Sequence, residues 1–212
     1  MSAEAVIAAA RGELGYTEEP RDSNMTKYGY DFGMNGQPWC VMFLWWCFDR
    51  AGEYKAFFGG GKTASCGILR DWYLAMGQIV PVDKVQAGDI VILNFHGTQD
   101  TEHCGIVESK GNGYIVTIEG NTGTGSQANG GMVCRKTRYP SQIVAVCRPK
   151  YKEEPVKKDD LIDHWAWHSC RKAEKKGIMQ GYPDGSWQPD KPVTRAELAT
   201  VLDRLGLLED KK

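Results

Sequence analysis

From Trp39 to Phe48 the chain reads Trp-Cys-Val-Met-Phe-Leu-Trp-Trp-Cys-Phe, a run without a single charge. It is half the length of a membrane span, which takes about 20 apolar residues, and it is the longest apolar run in the sequence. A helix this apolar on every face cannot lie on a wet surface. The run therefore predicts a helix over Cys40–Arg50, closed by Ala51-Gly52 and buried at the centre of a domain.

The flanking patterns say what wraps it. Val6, Ile7, Ala10 and Leu14 recur at helical spacing over residues 3–14 and lead to Gly15, a C-terminal cap. Asp22 to Pro38 is rich in Gly and Asn and predicts a loop. Ala64 to Met76 predicts a further helix ending at Gly77. Short β-rich runs follow at Asp89–Leu93, His103–Glu108, Tyr114–Glu119, Met132–Thr137 and Ile143–Cys147, spaced for an antiparallel meander. Helices first and strands afterwards make the fold class α+β.

After Pro149 the sequence Lys-Tyr-Lys-Glu-Glu-Pro-Val-Lys-Lys-Asp-Asp offers nothing to bury. The expected division is a main domain over residues 1–150, a solvated linker over 151–160, and a small all-α module over 161–212 whose two helical patterns flank Gly-Tyr-Pro-Asp-Gly. The formal net charge is −1 with Lys and Arg scattered, which argues against nucleic acid as partner. Seven cysteines without a Cys-x-x-Cys pair argue against a zinc site or a disulfide framework, so no metal or other cofactor is expected. The first residues carry no basic leader, and the expectation is synthesis in a cytosol without a secretory signal.

Pro38-Trp39-Cys40 opens the buried helix. A thiol in a first helical turn faces unpaired N–H groups that favour the thiolate. A lone cysteine there is more often a small buried hydrophobe, so a base must be found. His103 begins a strand candidate, and Ser109 to Gly113 would turn that strand back. If Glu108 then faces Tyr114, antiparallel counting puts His103 opposite Glu119 on one face, with β-carbons roughly 5 Å apart. Asn121 continues that face. A histidine oriented by a carboxylate or amide is what thiol activation requires. His96 is the competing base, but it lies beyond a strand end with no predicted carboxylate facing it. The remaining cysteines, Cys66 and Cys104 among them, read as core filler.

Pro38-Trp39-Cys40, Ala87-Gly-Asp-Ile-Val-Ile, His103-Cys-Gly-Ile-Val-Glu and Ile118-Glu-Gly-Asn-Thr-Gly resemble, in order over roughly residues 3–150, the CHAP family of cysteine, histidine-dependent amidohydrolases and peptidases. The resemblance implies a papain-like α+β fold, Cys40 as nucleophile, His103 as base, and Glu119 and Asn121 as orienting residues. The oxyanion donor stays open among Gln37, Tyr28 and Tyr30, with Gln37 preferred, alongside the Cys40 backbone N–H. Some members of the family bind calcium, but Glu18, Glu19, Asp22 and Asp31 do not form an alternating acidic loop.

Trp165-Ala-Trp, Lys176-Gly-Ile-Met-Gln-Gly-Tyr-Pro-Asp-Gly-Ser-Trp and Pro192-Val-Thr-Arg-Ala-Glu-Leu resemble a single S-layer homology motif. That implies binding to secondary cell-wall polysaccharide, through Trp165, Trp167, Asp184 and Arg195. A wall hydrolase, acting on peptidoglycan and followed by a wall-binding module, has the layout of a bacteriophage endolysin. Such motifs usually come in threes, so the one copy here implies a homo-oligomer, a trimer, joined through residues 161–208.

Overall fold

A computed structural model of the protein describes residues 2–123, 130–152, 160–182 and 185–208. The chain forms two compact units, residues 1–153 and 154–212. The boundary falls within the segment read as linker, most of which, residues 153–159, lies outside the described residues.

In the first unit, helix α1 (Ala3–Arg11) buries Val6, Ile7 and Ala10. Its C-terminal extension ends at Gly15, whose positive φ lets its N–H reach the Val133 carbonyl at 3.0 Å. Helix α2 (Lys27–Phe32) occupies a stretch expected to be loop. Its residues carry little helical propensity, and it is held by its ends and by packing. Thr26 caps it by accepting from the Gly29 N–H, Gly33 closes it in the left-handed conformation, and Tyr28 stacks on Trp39 at 5.3 Å.

Helix α3 (Cys40–Arg50) is the buried helix read from the sequence; Cys40 to Leu44, Cys47 and Phe48 are all buried. Helix α4 (Cys66–Ala75) starts where Ser65 accepts from the Ile68 N–H. Six strands follow: β1 (Ile79–Val80), β2 (Ile90–Leu93), β3 (His103–Lys110), β4 (Ile115–Thr122), β5 (Met132–Arg138) and β6 (Ile143–Cys147). They form one antiparallel sheet in the order β1-β6-β2-β3-β4-β5. The expected meander therefore holds from β2 to β5 only, since β6 crosses back to lie between β1 and β2. Cys104, Ile106 and Ile118 pack with α3 in the main core, while Val91, Val107 and Ile115 belong to a smaller cluster.

The β3–β4 register differs from the one counted from sequence. Both strands run further into the hairpin, to Lys110 opposite Ile115, and a bulge at Glu108 brings Ile106 opposite Ile118. The extra residue serves Glu108, which is held at the surface by Arg11 at 2.6 Å and Arg135 at 2.5 Å. The result is a slip of two residues, which keeps every side chain on its face. Glu119 thus sits beside Gly105 rather than opposite His103.

In the second unit, α5 (Trp167–Lys175) and α6 (Arg195–Arg204) bury none of their residues. Their ends are locally secured. Thr194 and Glu197 form a capping box at the start of α6, and Arg204 donates to the Ile178 carbonyl at 3.0 Å. Asp160 accepts from the Trp187 and Gln188 N–H groups at 2.7 and 2.6 Å.

Candidate active site

Cys40 is the first residue of α3, so its thiol lies over N–H groups that have no helical acceptor. The residue before it is anchored from two sides, because the Trp39 ring stacks on Tyr28 and its Nε1 donates to Glu18 at 3.2 Å. Close approach of the sheet completes the seat. A side chain on Gly120 would place its β-carbon 2.6 Å from Phe43 and 2.8 Å from Trp39, so only glycine lets β4 come this near the start of α3.

Two further thiols reach Cys40. Its Sγ lies 3.8 Å from that of Cys66, the first residue of α4, and Cys104 of β3 joins them with all three sulfurs within 4.8 Å of one another. Cys104 and Cys66, and then His103, hold the Cys40 thiol well below the ordinary cysteine range against the opposing effect of burial. The same arrangement pushes Cys66 and Cys104 up. Both neighbours are buried, and beyond filling the core each brings its sulfur to Cys40. Their contact was illegible in the sequence, since 26 and 64 residues separate them from Cys40.

His103 is fully buried beside these sulfurs. Its Nε2 lies 3.1 Å from Glu119 Oε2, which leaves Nδ1 for the thiol side. Neither nitrogen has a well-angled hydrogen bond among the described residues. Glu119 reaches it diagonally across Gly105, where a β-carbon would fall 2.5 Å from Glu119 Cγ. Burial alone would lower the histidine's pKa, but Cys40 and Glu119 outweigh it and raise His103 to about 9.

The carboxylate is itself held. Arg138, at the end of β5, donates Nε to Glu119 Oε1 at 2.8 Å and Nη2 to Oε2 at 2.5 Å, and Thr117 donates to Oε1 at 2.5 Å. Burial works to raise the Glu119 pKa, yet Arg138 and then His103 overcome it and bring it to about 2. Phe95 roofs the group, with the Arg138 guanidinium 4.6 Å from its ring centroid and the His103 ring 6.2 Å away. No pattern in the sequence marked Arg138, Thr117 or Phe95.

Other expected residues fall differently. Asn121 is buried with φ +55°, at a break in the β4–β5 ladder, and its Oδ1 has no hydrogen-bond partner among the described residues. Gln37 is exposed on the approach to α3, as is Tyr30, whereas Tyr28 is buried and donates to Glu13. His96 does face a carboxylate, Glu102, against the expectation, but the pair is a surface one. In the second unit, Trp165 is 87% exposed, and Trp167 and Arg195 are exposed on their helices. Asp184 lies outside the described residues.

Residues 32–121, which include Cys40, His103 and Glu119, match the CHAP domain, and residues 159–199 match the S-layer homology domain. The protein joins a CHAP domain to an S-layer homology domain. Among curated proteins it is 46% identical over 55 residues to a cellulosome-anchoring protein and 50% identical over 44 residues to cell surface glycoprotein 1, both of Acetivibrio thermocellus. It is also 46% identical over 43 residues to outer membrane protein alpha of Thermotoga maritima. The matches cover 24%, 20% and 20% of this chain and only 12%, 2% and 11% of those proteins. A crystal structure of a wild-type endolysin, LysIME-EF1, aligns over 72% of this chain and 66% of that one with a TM-score of 0.46 and 16% identity. Within the CHAP domain, the matched span covers both helix α3 and the β3–β4 hairpin, the two elements that bring thiol and imidazole together.

Proposed function

We propose that the protein is a peptidoglycan hydrolase that cleaves an amide bond of Gram-positive cell wall with Cys40 as nucleophile and His103 as acid and base. The observation that carries the reading is the thiol at the start of α3 beside a buried imidazole with its own carboxylate. The Cys40 thiolate adds to the amide carbonyl, and the Cys40 N–H is placed to donate to the oxyanion. As the tetrahedral adduct collapses, the C–N bond breaks and the amine leaves with the proton from His103. Neutral His103 then takes a proton from water, whose oxygen attacks the thioester and releases the carboxylate product and the thiolate. Glu119, clamped by Arg138, keeps the ring oriented and supports its charged state.

The same machinery serves an N-acetylmuramoyl-L-alanine amidase or an endopeptidase of the stem or cross-bridge, and groove shape decides between them. The S-layer homology domain is read as the wall anchor, binding secondary cell-wall polysaccharide through Trp165, Trp167 and Arg195, with Asp184 in the same motif. The combination fits an endolysin that is made in the host cytoplasm and meets the wall after release. Turbidity of Gram-positive wall suspensions should fall with the wild type and not with Cys40→Ala, and mass spectrometry of the digest should show a new amine and carboxylate. Reducing sugar ends in place of these would sink the chemistry.

The second unit supports self-association as well. Leu198 and Val193 are exposed and line an apolar groove of about 590 Å³ with Ile178, Met179 and Val201. A unit of this size with two helices that bury nothing needs neighbours to complete a core, and further copies of the same face close symmetrically as a trimer. Light scattering on the full chain should give three times the monomer mass, and Leu198→Glu should return it to one.

A further inference from the structure

Three cysteines from three separate elements converge on one point: Cys40 begins α3, Cys66 begins α4, and Cys104 is the second residue of β3. Buried cysteines elsewhere in the unit, such as Cys47 and Cys147, are outside the cluster. The separation is informative. Two thiolates bound to one tetrahedral zinc ion at about 2.3 Å lie about 3.8 Å apart, and Cys40 and Cys66 Sγ are 3.8 Å apart before any ion is bound. The third sulfur is within 4.8 Å of both, a gap that a small side-chain rotation closes.

We propose that Cys40, Cys66 and Cys104 form a binding site for a thiophilic divalent metal ion, with Zn²⁺ as its simplest occupant, and that the ion switches the hydrolase off by occupying the nucleophile. Each cysteine binds as the thiolate, giving any thiol proton to solvent, and the ion neutralises most of the charge so created. The fourth position is left for water, because His103 is not within the same ligand distance as the three sulfurs. Cys40 and Cys66 each retain a small exposed edge through which an ion can enter, whereas Cys104 is sealed. A thiolate shared with a metal is no longer free to attack a carbonyl. The metal site rests on the sulfurs alone, and only the inhibition rests on the reading of Cys40 as nucleophile.

The test uses the full-length, reduced, metal-free protein, titrated with Zn²⁺ against a chromophoric chelator and, separately, with Cd²⁺ while thiolate-to-metal absorption is followed. One equivalent should bind, with a band of the size given by three thiolates. Cys66→Ser and Cys104→Ser should each weaken binding by more than about 100-fold, since even partners that do not touch a metal are worth about 10–100-fold. Cys170→Ser and His164→Ala should leave it unchanged. Wall lysis should stop on loading with Zn²⁺ and return with chelator. A band worth one thiolate in the wild type, or affinity that survives in both serine variants, would overturn the site whether or not those variants fold well. Stoichiometric three-thiolate binding in a protein that never lyses walls would uphold the site and remove the hydrolase reading instead.

Discussion

The two units of this protein make opposite use of their apolar residues. In the first, Trp39, Phe43 and Leu44 vanish into one core, and a buried carboxylate is met by other polar groups, as Glu119 meets Arg138, Thr117 and His103. In the second, two helices of similar length bury nothing, and Trp165, Leu198 and Leu207 face outward. The contrast bears on where each unit's chemistry can reside. Burial can shift pKa values, which on the proposed reading puts the reaction in the first unit, while an exposed apolar face suits binding, which puts recognition in the second.

That comparison breaks most visibly at Arg138. Its removal in Arg138→Met leaves the Glu119 carboxylate buried without its main partner, and unfolding by denaturant should show a loss of about 3–5 kcal/mol. Adding Glu119→Gln should recover most of that stability but not the lysis of walls. If the single variant is as stable as wild type, the buried ion pair is not what holds the site. Next in size, Gly120→Ala should cost about 1–3 kcal/mol, because the new methyl meets the Phe43 and Trp39 rings rather than the movable end of a flexible chain. The corresponding change in the second unit, Leu198→Ala in the monomeric protein, should stay within about 0.5 kcal/mol.

The pH profile separates the units in another way. His103 is raised to about 9 from an ordinary 6.5, so its contribution to stability is complete below about 6.5 and is lost as the pH climbs through about 9. Cys40 is lowered, so its thiolate contributes fully above the ordinary thiol range and loses that contribution as the pH falls through its depressed value. Activity should therefore be bell-shaped, with an alkaline limb near 9, and Glu119→Gln should pull that limb toward neutrality by removing one of the groups that raise His103. An unmoved limb would show that Glu119 only packs. The smallest effect belongs to the second unit, where Thr194→Ala should cost about 1 kcal/mol of helix α6, read as lost helical signal, and leave the CHAP domain's kinetics on a soluble substrate untouched.

How legible each feature was in the sequence depended on how local its cause is. Helix α3 was readable because its residues from Cys40 to Phe48 are all apolar and share one need, to leave water. Cys40 and His103 stood out because each sits at the start of its element, where sequence pattern is strongest. The pairing of β3 with β4 differs by two residues because the hairpin is tighter than the one counted and the ladder takes a bulge at Glu108, whose partners Arg11 and Arg135 come from other elements. Helix α2 has no helical pattern of its own and exists through Thr26, Gly33 and the Trp39 ring. Cys66, Cys104 and Arg138 are invisible for the same reason: what they do depends on a neighbour supplied by the fold. Regular alternation put Asn121 on the face of His103, and its positive φ, set where the β4–β5 ladder breaks, is not a feature that alternation carries.

One consequence of the sheet order concerns how the protein would wear out. Strand β5 is the last in the sheet, and on its outer side the segment Gly15 to Glu18 supports it at Gly131 to Val133, the end away from Arg138. Outer strands open more readily than the middle of a fold, by local fluctuations that leave the rest intact. Each such opening at the Arg138 end withdraws the guanidinium from Glu119, frees the carboxylate to take a proton, and with it loosens the imidazole. Heating or mild denaturant should then silence the enzyme while α3 and its core are still in place, so that the hinge of its working life is a border of the sheet rather than its centre.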